Sequence, residues 1–177
     1  MAQSALIVPV GEAEAVVGEI RNRFDPTALL GVPAHITTIF PFADPSTISG
    51  HTIDGLRSAT ASIRAFAFQL RTIGQFPTAL YLNPEPSDRF VALTSAIVDR
   101  FPEFPPYGGQ FSSVVPHLTV AYGESNRLAG VREELERAIG RHGPISSFCS
   151  SLTLIENSTG RWLPVQEIPL ASQRPVA

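Results

Sequence analysis

Two short stretches carry residue types that can do chemistry together: His35-Ile36-Thr37 and His117-Leu118-Thr119. Each has a proline just upstream (Pro33, Pro116). Each runs on into apolar and β-branched residues, Thr38-Ile39-Phe40 in one and Val120-Ala121-Tyr122 in the other, a composition typical of strands. Alternation along a strand sends residues i and i+2 to one face, so His35 shares a face with Thr37 and His117 with Thr119, while Ile36 and Leu118 point the other way. Two rises of about 3.3 Å put each His and its Thr about 6.6 Å apart, close enough to address one small group from one side. Histidine, with an unperturbed pKa of about 6.5, can give or take a proton near neutrality, and a threonine hydroxyl can donate to a developing oxyanion. Two histidines and two threonines around one phosphodiester would supply a base, an acid and hydrogen-bond donors.

A single strand histidine is most simply a structural residue, and a single strand threonine a good strand former. The two copies, 82 residues apart in a chain of 177, argue instead for a repeated half. A zinc site is the other plain alternative. Two histidines with the one cysteine, Cys149, make a thin ligand set without close Cys/His spacing. No metal and no other cofactor is expected. His51 and His142 lack the motif and are expected in solvent.

The elements that must position these groups follow from pattern. Ala5–Val10 is a short strand run broken by Gly11. Val16, Val17, Ile20 and Phe24 have helical spacing, and Asp25-Pro26 stops that helix. The first His strand follows and closes at Phe40-Pro41-Phe42. Ile53, Leu56, Thr60 and Ile63 mark a second helix, and Phe66, Phe68 and Leu70 alternate as a strand. The order then restarts. A strand spans Ala79–Leu82, and Ser87 can cap a helix carrying Phe90, Leu93, Ile97 and Phe101. A Pro/Gly/aromatic loop, 102–111, precedes the second His strand. Asn126 can cap a helix with Leu128, Val131, Leu135 and Ile139 on one face. One strand is expected over Phe148–Ile155, a turn at Asn157–Gly160, and a last strand over Arg161–Leu170 before a polar, loose tail. Two α+β lobes, roughly 1–77 and 78–177, could set their His strands facing across a shared cleft.

Composition narrows the function. A formal charge of −3 speaks against an extended nucleic-acid surface, whose affinity would come from neutralising many phosphates, but not against a small phosphate ester. All thirteen cations are arginine. Without lysine there is no Walker-type phosphate loop, no Schiff base and no lysine-adenylate intermediate. The lone cysteine cannot form an internal disulfide, and no apolar run reaches the roughly 18 residues of a membrane span. The N-terminus lacks the pattern of a secretory signal. A cytoplasmic monomer is expected.

The paired motifs, with flanks Val32-Pro33-Ala34-His35-Ile36-Thr37 and Val115-Pro116-His117-Leu118-Thr119-Val120, resemble the two-histidine (2H) phosphoesterase superfamily, nearest to its bacterial 2′-5′ RNA ligase-like branch. The resemblance covers nearly the whole chain. It implies an α+β, bilobal duplicated fold, two mainly antiparallel sheets with flanking helices enclosing a central cleft, in a single domain over 1–177 that allows strand exchange between lobes. It also implies a metal-independent enzyme that hydrolyses 2′,3′-cyclic phosphates, or cleaves or joins 2′-5′ linkages, in nucleotides or RNA ends. His35 and His117 would then be catalytic, and Thr37 and Thr119 would bind phosphate oxygens. A catalytically idle nucleotide- or RNA-end-binding protein is the alternative. Some members carry an arginine after the second motif, where this chain reads Ala121-Tyr122-Gly123; Arg71 and Arg161 are candidates to replace it. Phe42, Tyr107 and Tyr122 are rim candidates that could stack on a base. Phe40 is assigned to core packing, and Trp162 to core or sheet cover.

Overall fold

Eight strands carry the chain's alternating stretches. In the computed structural model, which describes residues 1–110 and 114–172, they are β1 (Ser4–Pro9), β2 (His35–Ile39), β3 (Phe66–Phe76), β4 (Ala79–Glu85), β5 (Leu118–Tyr122), β6 (Ile145–Cys149), β7 (Ser151–Glu156) and β8 (Leu163–Pro169). The helices are α1 (Gly11–Phe24), α2 (Pro26–Leu29), α3 (Gly50–Thr60), α4 (Asp88–Arg100) and α5 (Ser125–His142). Phe111, at the end of the aromatic loop, and the tail beyond 172 lie outside the described residues.

The class is α+β, as the pattern indicated. The strands do not form two sheets, however. They form one curled sheet in the order β6-β3-β4-β5-β2-β1-β7-β8, every neighbouring pair antiparallel. The physical reason is the join between the two His strands, where β2 and β5 pair directly at Ile36 and Leu118. That join is a pseudo-two-fold centre. On one side Val8 pairs with Ile36, Ile7 with Thr37 and Leu6 with Ile39; on the other Leu82 pairs with Leu118, Tyr81 with Thr119 and Leu80 with Ala121. In both halves one extra residue, Thr38 or Val120, stands opposite a single step of the partner strand: a β-bulge at the same place in each repeat.

The stretch Phe148–Ile155 is not one strand. Ser150 divides it, so that β6 pairs with β3 at one end of the sheet while β7 pairs with β1 near the other. The alternation changes phase at the break, with Ile145 and Cys149 buried before it and Leu152 and Leu154 after it, each piece facing the same core.

One face of the sheet packs against the helices. Leu6, Val8, Ile36, Leu80, Leu82, Leu118 and Val120 meet Val17, Leu56, Leu93, Ile97 and Leu135 in one continuous core. Each fully buried Leu or Ile contributes about 1.5–3 kcal/mol relative to exposure. The other face carries a small cluster, Ala5, Ile7, Val32 and Ile155, beneath Phe40 and Trp162. His51 and His142 are exposed, as expected. Among the described residues no helix is long and apolar enough to cross a membrane.

Candidate active site

Alternation puts His35 and Thr37 of β2 on the face away from the helices, and His117 with Thr119 of β5 on that same face. Because β2 and β5 are neighbours, all four line one cleft. Each histidine is held in the same way. His35 Nδ1 lies 2.8 Å from the Pro33 carbonyl oxygen and His117 Nδ1 lies 2.6 Å from the Val115 carbonyl oxygen, in both cases two residues upstream. A carbonyl oxygen can only accept, so Nδ1 carries the proton in both rings. Nε2 is left as the nitrogen available to the cleft, a base when neutral and an acid when protonated.

The rings are further fixed by their neighbours. Phe76 meets His117 edge-on at 5.0 Å between centroids, and Tyr81, stacked on Phe76, lies 5.2 Å from the same ring. Tyr107 lies nearly parallel to His117 at 6.5 Å; its backbone is in the left-handed region (φ 53°), and its N–H donates to the Phe40 carbonyl at 2.6 Å. The turn in the aromatic loop is thereby tied to the end of the first His strand. Tyr81 itself needs Gly74 across the ladder, since a Cβ there would come within 2.3 Å of its ring.

Beneath His35 lies a buried ionic network. Arg21, on α1, is 2% exposed, and its Nε and Nη2 donate to Asp25 Oδ2 at 3.1 and 2.9 Å. Nη2 also donates to the Val32 carbonyl at 3.2 Å, while Nη1 reaches Glu14 at 3.4 Å. Glu14 in turn accepts from the Ala34 N–H. Both flanks of Pro33, the residue that holds His35, are thus pinned. Asp25 also caps α2, accepting from the Thr27 N–H at 3.0 Å and the Thr27 hydroxyl at 2.7 Å, with Pro26 in the first helical position.

The same crowding tunes the titrations. Desolvation pulls His35 down from 6.5 to about 4; the nearby Arg21 charge and His117 act the same way, against the hydrogen bond to Pro33 and the Asp25 carboxylate. Desolvation also lowers His117, opposed by its hydrogen bond to Val115. Burial pushes the Tyr107 hydroxyl up to about 12 and raises that of Tyr122, which is hydrogen-bonded with the Thr119 side chain.

Of the rim candidates, Tyr107 and Tyr122 line the cleft and Phe42 does not. Phe42 is buried in the main core, edge-on to Phe101 at 5.5 Å and Phe104 at 4.9 Å. Phe40, assigned to core packing, lines the cleft instead. The bulge at Thr38 is the reason: it resets the alternation, turning Ile39 to the core and Phe40 to the cleft, as Val120 does for Ala121 and Tyr122. Trp162 also lines the cleft, edge-on to Phe40 at 6.2 Å. Arg71 and Arg161 are not among the cleft-lining residues.

A family profile described as the 2′-5′ RNA ligase superfamily matches residues 9–161, most of the chain. The chain belongs to the 2′-5′ RNA ligase superfamily. Solved structures of similar fold include LigT of E. coli complexed with 3′-AMP (16% identity, 95% of this chain and 97% of that one, TM-score 0.59). LigT complexed with NADP+ is similar at 18% identity over 96% and 97% of the two chains, with a TM-score of 0.57. TT0787 of Thermus thermophilus is similar at 17% identity over 97% and 100%, with a TM-score of 0.63. At these identities the likeness is one of fold. No curated protein sequence matches the chain.

Sequence reasoning missed Asp25, Thr27, Phe40 and Trp162 in this superfamily member's cleft. Asp25-Pro26-Thr27 did carry a signal, since Asp followed by Pro at the first helical position is a helix start as well as a helix stop. The short α2 was read only as the stop. Nothing local marked Phe40 or Trp162.

Proposed function

We propose that the chain is a metal-independent phosphoesterase of the two-histidine type, hydrolysing 2′,3′-cyclic phosphates or 2′-5′ phosphodiester bonds of nucleotides or RNA ends, with His35 and His117 as the acid–base pair. The observation that carries this reading is the shared tethering of both Nδ1 atoms to backbone carbonyls, which leaves two Nε2 atoms in one cleft with Thr37 and Thr119. In the ring-opening direction the oxygen of a water attacks phosphorus and one Nε2 takes the water's proton. The bond from phosphorus to the ribose oxygen breaks, and the other Nε2 protonates that oxygen, leaving a phosphomonoester. Desolvation is stronger at His35, so the singly protonated cleft carries its proton on His117. His35 then serves as base and His117 as acid, with the roles exchanged in the reverse, joining direction. The Thr37 and Thr119 hydroxyls donate to the non-bridging oxygens. LigT, of similar fold, is solved with 3′-AMP, NADP+ and ATP, which supports a nucleotide as the substrate class.

The pairing of β3 with β4 and of β7 with β1 supports a single domain over 1–177 whose two lobes exchange strands. We take it to act as a cytoplasmic monomer. The test is turnover of the 2′,3′-cyclic nucleoside monophosphates with EDTA present, for wild type, His35→Ala and His117→Ala. Either substitution is expected to lower turnover by roughly two to three orders of magnitude. Variants as fast as wild type would remove these histidines from the mechanism. Nucleotide binding without product from wild type would favour an idle binding protein.

A further inference from the structure

The cleft between the histidines encloses about 160 Å³, and a groove of about 430 Å³ lies beside it, with Ile7, Val32, Ile155 and Trp162 lining both. Sites for small organic ligands run to roughly 300–1,000 Å³. The cleft alone therefore accommodates a phosphate and part of a sugar, and the rest of a nucleotide must extend beyond it.

The pseudo-symmetry shows why there is room on one side only. Next to His117 the ladder pairs Tyr81 with Gly74, and Phe76 stacks on Tyr81 at 4.3 Å, filling the space. At the equivalent places next to His35 the ladder pairs Ile7 with Thr153, and Ile155 stands where Phe76 does. Smaller side chains leave the groove open. Its walls are mostly apolar, among them Pro33, Pro164, Val165 and Trp162, and Thr153 supplies a polar group. Among the described residues the single charged lining residue is Glu167, whose carboxylate accepts from the Ser151 hydroxyl at 2.6 Å. Trp162 is held in place by its backbone N–H, which donates to the Leu30 carbonyl at 2.9 Å.

We propose that this groove is a nucleobase subsite, holding the base of the nucleotide whose phosphate lies between His35 and His117. The proposal rests on reading the cleft as a phosphate site. A flat neutral base can stack on the indole and satisfy its edge at Thr153. With one carboxylate and no cation among the described residues of its walls, the groove disfavours a second phosphate, so the substrate carries its phosphate on the 2′ or 3′ side and not as a polyphosphate tail.

Trp162 is the only tryptophan in the chain, so its fluorescence reports the groove directly. Adenosine 3′-monophosphate, uridine 3′-monophosphate and inorganic phosphate are titrated into wild type and Val165→Glu, a substitution at a half-exposed groove position outside the cleft. Both nucleotides should quench Trp162 and bind wild type at least tenfold more tightly than phosphate does. Val165→Glu should cancel most of that advantage, leave phosphate affinity within twofold, and raise the KM for cyclic nucleotides about tenfold. Equal affinity for nucleotide and phosphate, or a Val165→Glu protein that binds nucleotide like wild type, overturns the subsite. Turnover with a silent Trp162 overturns the subsite and leaves the enzyme reading standing. Base-dependent quenching without turnover supports the subsite and removes the enzyme reading.

Discussion

Arg21 sets two guanidinium nitrogens against one carboxylate oxygen of Asp25, 2.9 and 3.1 Å away, with both residues 2% exposed. The pair sits under the cleft and neutralises the one carboxylate that lines it among the described residues, in a site read as taking an anion. It also reaches the Val32 carbonyl, and through Glu14 the Ala34 N–H, on either side of the residue that tethers His35.

Arg21→Met leaves Asp25 buried without its counter-charge. Breaking one side of a buried pair costs about 3–5 kcal/mol, whereas replacing both partners with apolar residues is often near neutral. Urea denaturation should show that loss for Arg21→Met, with much of it recovered in Arg21→Met/Asp25→Leu. A single variant within about 1 kcal/mol of wild type would mean that the network is not holding this corner together.

The acid side of the stability curve follows from His35. Its folded pKa of about 4 lies below its ordinary value of 6.5, so between these values the unfolded chain binds the proton and the folded one does not. His35 therefore favours the fold fully above pH 6.5, and that contribution is lost as pH falls toward about 4. His117, also lowered, works in the same direction. The Tm difference between pH 7.5 and pH 5 should shrink in His35→Gln. An NMR titration should place the His35 midpoint below that of His117; the reverse order would contradict the assignment of base and acid.

A bell-shaped profile of kcat/KM follows as well, because the productive state carries one proton on the pair. Both histidines are lowered in the free protein, so the maximum should fall on the acid side of pH 6.5. A rate that is flat from acid to alkaline pH would count against paired acid–base catalysis.

Gly74→Ala should disturb His117 without touching it. The new Cβ would lie 2.3 Å from the Tyr81 ring, and Tyr81 packs 5.2 Å from His117 between centroids. Overpacking of this kind costs about 1–3 kcal/mol. Both Tm and turnover should fall, and Gly74→Ala/Tyr81→Leu should recover stability. Unchanged turnover in Gly74→Ala would show that the Tyr81 contact does not position the ring.

Thr38→Val should raise stability. Among the described residues the buried Thr38 hydroxyl has no hydrogen-bond partner, and the equivalent bulge in the other half holds Val120. Removing an unsatisfied buried hydroxyl while keeping its shape is expected to gain about 1 kcal/mol. Turnover should stay at the wild-type level, since Thr38 lines no part of the cleft. A fall in Tm would show that the hydroxyl is satisfied in solution.

The two His-x-Thr motifs were legible because their geometry is local. Alternation places His35 with Thr37, and His117 with Thr119, whatever the rest of the chain does. Helices α1, α3, α4 and α5 were legible for the same reason, since each carries its own apolar stripe. The absence of lysine, and with it a whole set of mechanisms, was also in the letters themselves.

What the tertiary structure alone decided depends on pairing between distant segments. Nothing within His35–Ile39 or Leu118–Tyr122 says that Ile36 will face Leu118, yet that one register turns two expected sheets into one and brings two motifs to one cleft. The bulges at Thr38 and Val120 exist only relative to a partner strand, and the first of them turns Phe40 to the cleft. Arg21 with Asp25, and Trp162 with the groove it walls, meet across loops and strands whose approach no local pattern announces. Within each His-x-Thr triplet the sequence determines which groups share a side, because that is set by the backbone's two-residue period. Strand order, register and cavities are set by the collective burial of the whole core, which no single stretch encodes.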